Sequence, residues 1–313
     1  MDMAEKETLA VIVPLLNEEE TIGLFYAALE ALKPELPVNL AYWFVDDGST
    51  DGTLAVLQDL HAQDEAVHFV SFSRNFGKEA ALYAGLTQAQ GEYVAVMDVD
   101  LQDPPELLPE MLAGVCSGEF DAVGTRRVNR QGEAAIRSWF ADRFYQLINK
   151  ISDVPFVPGA RDFRVMSRQM VTAILSLSET QRFSKGIFTW VGFKTKYIGF
   201  ENRARVAGQT SWSFWQLTKY AIAGIVSFST VPLMLVSLFG FVAFGLSVLG
   251  AILIVIRELL YPATSAFGWP SLVVIILFMS GVQLVSLGVI GRYIAAAYLE
   301  VKKRPLYIVK DKA

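Results

Sequence analysis

Cysteine is almost missing from this 313-residue chain, histidine nearly so, and formal charge is absent from two long stretches. With Cys116 alone no internal disulfide can form, which suits a reducing compartment. His61 and His68 are too few, and too far from the carboxylate motifs, for a zinc site, so surface or packing roles are expected. No G-x-G-x-x-G or G-x-x-x-x-G-K-[ST] occurs, which leaves a nicotinamide or P-loop site without support. G-x-S-x-G is also missing, and no Cys/His pair suggests nucleophilic catalysis. A basic leader is lacking too: "MDMAEKETLAVIVP" is acidic before a short apolar run, so the N-terminal part is expected to stay in the cytosol. Charge is absent from Ala221 to Ile256 and again from Leu259 to Gly291. A bilayer span needs about 20 apolar residues, so each run suffices for one membrane helix.

What is present is segregated. The chain is 53% hydrophobic and 19% charged, and its net charge of −5 averages over unlike parts. The first two hundred residues alternate apolar strands ("TLAVIVPLL", "LAYWFVDDGS", "AVHFVSFS", "EYVAVMD") with helical patterns ("EEETIGLFYAALEALK", "DGTLAVLQDLHAQ", "GKEAALYAGLTQA"). That order predicts an α/β domain with a mostly parallel sheet over residues 1–205, its ligands bound where strands end in Gly and Asp. Residues 206–226, with Trp212, Trp215 and Tyr220, read as an interfacial amphipathic helix. Two transmembrane helices are expected at about 227–257 and 270–298. A basic tail, 299–313, with Lys302, Lys303, Arg304, Lys310 and Lys312, is placed in the cytosol by the positive-inside rule. "AIRSWFADRFYQLINKI" is amphipathic with a basic face and suits either the membrane surface or the sheet.

The stretch "YVAVMDVDLQDPPE" leaves a β-branched run and at once presents Asp98, Asp100 and Asp103. If the strand continues, Asp98 and Asp100 share a face, and their repulsion calls for a cation between or beside them. Asp103 reads as a helix N-cap, Pro104 as the first helical residue and Glu106 as the capping-box acid. Asp98 and Asp100, with Gln102 nearby, offer the hard oxygen ligands that hold Mg²⁺ or Mn²⁺ when substrate phosphates complete the shell. In "VDDGSTDGT", Asp46 and Asp47 are open to two readings, turn chemistry or a hydrogen bond to a base or ribose. Lys78 and Arg74 flank Gly77 at a strand-to-helix junction of the kind that favours phosphate. "GTRRVNR", "GARDFRVMSR" and "ENRARVAGQTSW" add Arg126, Arg127, Arg130, Arg161, Arg164, Arg168, Arg203 and Arg205, some of which must offset an anionic donor.

Taken together, "VIVPLLNEEETI", "VDDGSTD", "SRNFGKEAAL", "DVDLQDPPE", "DFRVMSR", "KGIFTWVGFKT", "SFSTVPL" and "KKRPLYIVK" resemble family 2 glycosyltransferases. More narrowly they look like the polyprenyl-phosphate glycosyltransferases: bactoprenol glucosyltransferases and, more distantly, dolichyl-phosphate mannose synthases. The resemblance implies a GT-A (Rossmann-like) nucleotide-sugar domain with a C-terminal two-helix transmembrane hairpin. It implies a UDP-sugar donor, a polyprenyl phosphate acceptor, a lipid bilayer and a homo-oligomer, with a tetramer suggested by relatives and no nucleic-acid partner. Pro14, Leu16, Glu18, Asp46, Lys78, Asp98 and Val99 would bind the nucleotide, and Asp98, Asp100 and Gln102 the Mg²⁺ or Mn²⁺. Arg126, Arg137, Arg164 and Arg205 would contact phosphates or the acceptor. Asp162 and Asp100 would be the catalytic acids, Asp162 standing where a base is often assigned. One departure is Ser211, where the family commonly has Lys; Lys185 and Lys219 are the candidates to replace it.

A lipid phosphate monoester has its second pKa near 6, so it is already largely deprotonated near neutral pH. Asp162 is therefore expected to orient the arginines and the sugar, with proton abstraction secondary. The product would be a lipid-linked hexose, most simply glucose, made by inversion at the cytosolic face of the inner membrane. N-acetylglucosamine, mannose or an aminoarabinose derivative are alternative sugars. A processive polysaccharide synthase, for which "TQRFSK" only partly echoes the usual Q-x-x-R-W, and an inactive membrane scaffold are the competing readings.

Overall fold

The computed structural model describes residues 6–128, 143, 145–146, 148–152, 154–201, 222–260 and 268–313. Arg130, Arg137, Arg203, Arg205, Ser211, Lys219 and residues 206–221 of the expected interfacial helix lie outside the described residues, and 222–226 are helical.

Apolar runs become the centre of an eight-stranded sheet in the order β7-β5-β6-β4-β1-β2-β3-β8. Its first four strands are β1 (Thr8–Leu15), β2 (Asn39–Asp46), β3 (Val67–Phe72) and β4 (Tyr93–Val96). These pair in parallel, with β1 between β2 and β4. Leu9 to Val13 are fully buried on both faces, which is why this strand reads as a continuous apolar run. Between the strands run α1 (Ile22–Leu32), α2 (Thr53–Gln63) and α3 (Lys78–Gln88). Beyond β4 come α4 (Leu108–Cys116), β5 (Ala122–Arg127) and β6 (Ala160–Ser167), and β6 pairs antiparallel with both β4 and β5. Then follow α5 (Arg168–Ser176), α6 (Ser184–Trp190) and β7 (Thr195–Phe200), which pairs parallel to β5. The sheet is thus mixed: the parallel run β4-β1-β2-β3 is joined to the parallel pair β5-β7 through antiparallel β6.

Chain order reverses between β1 and β4, the place where open α/β sheets leave a crevice. Pro14 marks it. Ile12 O accepts from Met97 N on the β4 side and Leu15 O from Asp47 N on the β2 side. By alternation Pro14 faces β4, whose pairing has already ended at Ile12–Val96. The N–H that proline lacks is missing only where the strands part.

Two long helices follow, α7 (Val231–Leu260) and α8 (Trp269–Lys302). Stretches of both, Val231–Gly250 and Val274–Lys302, are long and apolar enough to cross a membrane, and none of their most apolar windows is buried. At 1.5 Å per residue the helices run to about 45 and 51 Å, longer than the roughly 30 Å hydrocarbon core.

The two ends of this hairpin are packed onto the α/β domain. Phe228 joins the core on the α3 face, packing edge-on to Phe156 and against Phe183. Tyr293 of α8 donates to Ser229 O at 2.6 Å. At the far end β8 (Val309–Lys312) pairs antiparallel with β3, and Tyr307 stacks on Phe72 at 4.8 Å. Residues 309–312, expected to be part of a separate basic tail, are therefore an edge strand of the sheet. Lysine is the usual guard on such an edge, which is why the strand reads as a solvated tail.

Gly186 shows how close the joint is: a Cβ there would meet the Phe228 ring at 2.3 Å. Gly186→Ala is expected to destabilise the protein by about 1–3 kcal/mol through overpacking. A thermal melt would show a lowered midpoint, recovered in part by adding Phe228→Leu.

Candidate active site

The acidic stretch does not continue the strand. β4 ends at Val96, and residues 97–102 form a turn in which Leu101 takes φ 54°. A left-handed leucine is strained, at a cost of about 1–3 kcal/mol. Asp98 is part-exposed and Asp100 buried. Asp98 and Asp100 therefore do not share a strand face; the turn places each separately. Val99 carries its side chain into the hydrophobic core, so only its backbone remains available to a ligand. Asp100 Oδ1 accepts from Gln102 N at 3.1 Å.

The positive partners demanded by these carboxylates come from far away in sequence. Lys78 Nζ lies 2.7 Å from Asp98 Oδ1 and 2.6 Å from Asp162 Oδ2. It is the first residue of α3, where the helix dipole disfavours a cation, so helix stability does not explain it. Burial alone would lower the Lys78 pKa; Asp162 and then Asp98 overcome that and hold it well above the ordinary lysine value. Burial would likewise raise Asp162, but Lys78 and then Lys185 push it far below the usual carboxylate range. This acid stays ionised and is a feeble proton acceptor. Arg161 reaches Asp103 Oδ1 from Nε at 2.8 Å and Asp98 Oδ2 from Nη2 at 4.0 Å.

Asp103 is not a helix cap. A 3₁₀ turn, Pro105–Leu107, precedes α4, and neither is capped by a side chain. Asp103 is buried instead, its pKa pushed up to about 6 by that burial against the pull of Arg161. Its Oδ2 is enclosed without a hydrogen-bond partner. Arg164 departs from expectation as well. It is buried beneath α6 with its guanidinium 3.7 Å from the Phe188 ring centroid, and donates to the carbonyls of Asp162 and Arg161. That role is structural rather than phosphate-facing. Arg168 similarly bonds Gly91 O and Ala89 O.

Turn chemistry engages both acids of "VDDGS". Asp46 is buried, its Oδ1 accepting from Ser49 N at 2.9 Å and its Oδ2 from Ser71 Oγ at 2.7 Å. Asp47 accepts from Phe76 N and Gly77 N, which ties down the loop before α3. Gly48 is required between them and that loop: its φ is +71°, and a Cβ would sit 2.3 Å from Arg74 C. Leu16 is exposed at the crevice mouth, and Glu18 accepts from Thr21 Oγ1 at 2.7 Å. Arg126 is exposed on β5. The histidines pack: His61 Nδ1 lies 2.5 Å from Val67 O, and His68 stacks on Trp43.

Among the described residues no group of three or more His, Cys, Asp or Glu side chains is gathered as a ready-made cation cage. Mg²⁺ is usually held otherwise, by one or two carboxylates with substrate phosphates completing the shell. An all-oxygen turn carrying Asp98, Asp100 and Gln102, with the unsatisfied Asp103 oxygen adding negative charge, fits such an ion.

From the sequence, Arg161 is expected among the arginines that Asp162 orients and Lys78 beside phosphate or nucleotide. The pairing of Lys78 with Asp98 and Asp162, the reach of Arg161 to Asp103 and the pull of Lys185 on Asp162 are not foreseen there. The wrong-sign charge at the start of α3 is the signal that marks Lys78.

Residues 10–175 match the family described as Glycosyl transferase family 2. An uncharacterized glycosyltransferase of Synechocystis is 41% identical over 304 residues, 97% of this chain and 95% of that one. The prophage-derived bactoprenol glucosyl transferase of Shigella flexneri is 40% identical over 302 residues, 96% of this chain and 97% of its own. Among solved structures, glucosyl-3-phosphoglycerate synthase from Mycobacterium tuberculosis superposes with a TM-score of 0.47 at 21% identity, over 70% of this chain and 78% of that one.

Proposed function

Because the chain belongs to glycosyl transferase family 2 and is a glycosyltransferase, we propose that it moves a hexose, most simply glucose, from a UDP-sugar to a polyprenyl phosphate. The observation that carries this reading is the extent of the likeness to bactoprenol glucosyl transferases, which runs through the apolar hairpin as well as the α/β domain. The hairpin crosses the bilayer twice, and β8 brings the chain back to the sheet it left, so the active site and the residues after the hairpin lie on one face, the cytosolic one. There the site meets a lipid phosphate that cannot leave the membrane cheaply.

The reaction is a single displacement. An acceptor phosphate oxygen forms the bond to the anomeric carbon as the bond from that carbon to the diphosphate oxygen breaks, and the electron pair leaves with the nucleoside diphosphate. Configuration inverts. Asp98, Asp100 and Gln102 would hold Mg²⁺ or Mn²⁺, which when bound supplies a Lewis acid for the charge developing on the diphosphate. Leu16 and Glu18 line the base side of the crevice beside Pro14, and Asp46 shapes the loop there. Arg126 faces phosphate from β5. Lys78 and Lys185 carry positive charge to the meeting point of two anions, and Asp162 fixes where that charge stands.

Asp162 is not the base in this scheme. An acceptor with a second pKa near 6 needs no strong base at neutral pH. General-base loss would cost about 10²–10⁴-fold. Asp162→Asn is expected to lower kcat by only about 10-fold and to keep the acid limb of the rate profile, since that limb belongs to the acceptor. A flat profile below pH 6 in the variant would return the base role to Asp162.

The whole proposal is tested by offering the detergent-solubilised full chain undecaprenyl phosphate with radiolabelled UDP-glucose, UDP-N-acetylglucosamine or GDP-mannose, followed by lipid extraction. Label from UDP-glucose in the lipid phase is expected. Label from another donor would overturn the sugar, and label from none would overturn the reading.

A further inference from the structure

Glu300 sits in the last turn of α8, where the helix dipole is negative and a carboxylate is the wrong sign. Nothing in the helix itself calls for it. Its carboxylate reaches back to the α/β domain: Thr180 N donates to Oε1 at 2.8 Å and to Oε2 at 2.9 Å, and Gln181 N donates to Oε1 at 3.0 Å. The gripped loop leads directly into α6. Arg182 closes it from within, donating to Leu177 O and Ile174 O while lying 4.6 Å from the Tyr83 ring centroid on α3. Ser184, the first residue of α6, donates from its N–H at 3.0 Å and from its hydroxyl to Glu79, the neighbour of Lys78. Lys185 comes next, and its charge helps hold Asp162 ionised.

We propose that Glu300 is a positioning residue: the end of the second apolar helix clamps the 180–181 loop and so sets α6 and Lys185 at the acceptor side of the site. The inference rests on the proposed transfer to a lipid phosphate, since it makes the hairpin more than an anchor. The acceptor and the lysine that meets it are then registered to each other through one helix.

The test compares Glu300→Ala and Glu300→Gln in the full chain. Hydrogen bonds to a charged group are among the stronger ones, so losing these three should free the loop. Amide exchange at Thr180 and Gln181, which needs no substrate, should quicken about 10-fold or more in Glu300→Ala. The KM for undecaprenyl phosphate should rise about 10-fold while the KM for the nucleotide sugar stays put. Glutamine keeps one accepting oxygen and should recover most of both effects. Unchanged exchange, or a KM rise shared equally by donor and acceptor, or no recovery with glutamine, would overturn the clamp. Wild-type protein that labels no lipid phosphate would instead sink the proposed function, with the exchange result still deciding whether the clamp exists.

Discussion

Alanine at both Asp98 and Asp100 is expected to lower sugar transfer by about 10³-fold or more, while the protein still folds. The expectation follows from what each acid is asked to do. In the proposed transfer the diphosphate gains charge as the anomeric bond breaks, and removing one preorganised stabiliser of such charge typically costs about 10²–10³-fold. The acidic turn would supply both the protein ligands to the ion and the position of that ion. Asp98 is also one of two carboxylates facing the Lys78 ammonium, so its loss misplaces a cation as well. Folding should survive because Asp98 is part-exposed, and because the core beneath the turn is carried by Val99 and its neighbours. The measurement is transfer to undecaprenyl phosphate at saturating Mn²⁺, beside wild type with and without a chelator. A double variant with wild-type turnover, or a chelator without effect, would remove the ion from the mechanism.

The parts of this protein written in local pattern were legible in its sequence, and those written in long-range pairing were not. Strand β1 announces itself because both faces are buried, β2 and β3 because apolar residues fill most of their length, and α3 because Ala80, Ala81, Ala84 and Gly85 let it lie close on the sheet. Asp98 announces itself because nothing in turn chemistry requires it. Asp103 was misread because Asp-Pro-Pro-Glu mimics a capping box, whereas its real partner, Arg161, lies on another strand. Arg164 reads as a phosphate contact in the sequence since no periodicity reveals that α6 covers that face of β6. Phe163 and Val165 fill one core and Met166 the other, and Arg164 shares the Met166 side beneath Phe188. β8 escaped notice for the same reason, since its pairing with β3 is a contact between distant parts of the chain.

Lys78→Met is the sharpest single substitution this geometry suggests, and its effects should run in opposite directions. Asp98 Oδ1 and Asp162 Oδ2 approach one ammonium so closely that, without it, the two carboxylates face each other across the gap it leaves. Breaking a buried pair costs about 3–5 kcal/mol. These groups are partly solvated, so about 1–2 kcal/mol of stability is the expected loss after screening. The sign can be checked by acid titration. Asp162 has a lowered pKa in the folded protein, so its contribution is present above the ordinary value of 3.8 and fades as the pH falls. The variant should therefore lose stability at neutral pH and converge on wild type in acid. Transfer should fall by about 10²-fold or more, because the cation proposed to stand between donor and acceptor anions is gone. Yet Mn²⁺ binding in the absence of nucleotide, followed by electron paramagnetic resonance, should tighten, since Asp98 no longer shares its oxygen with an ammonium. Weaker Mn²⁺ binding would mean that Lys78 holds the acidic turn in its binding shape rather than competing with the metal. Lys78→Arg keeps the charge but spreads it over a planar fork. It should restore the neutral-pH stability without restoring transfer, which separates the charge at this point from its place.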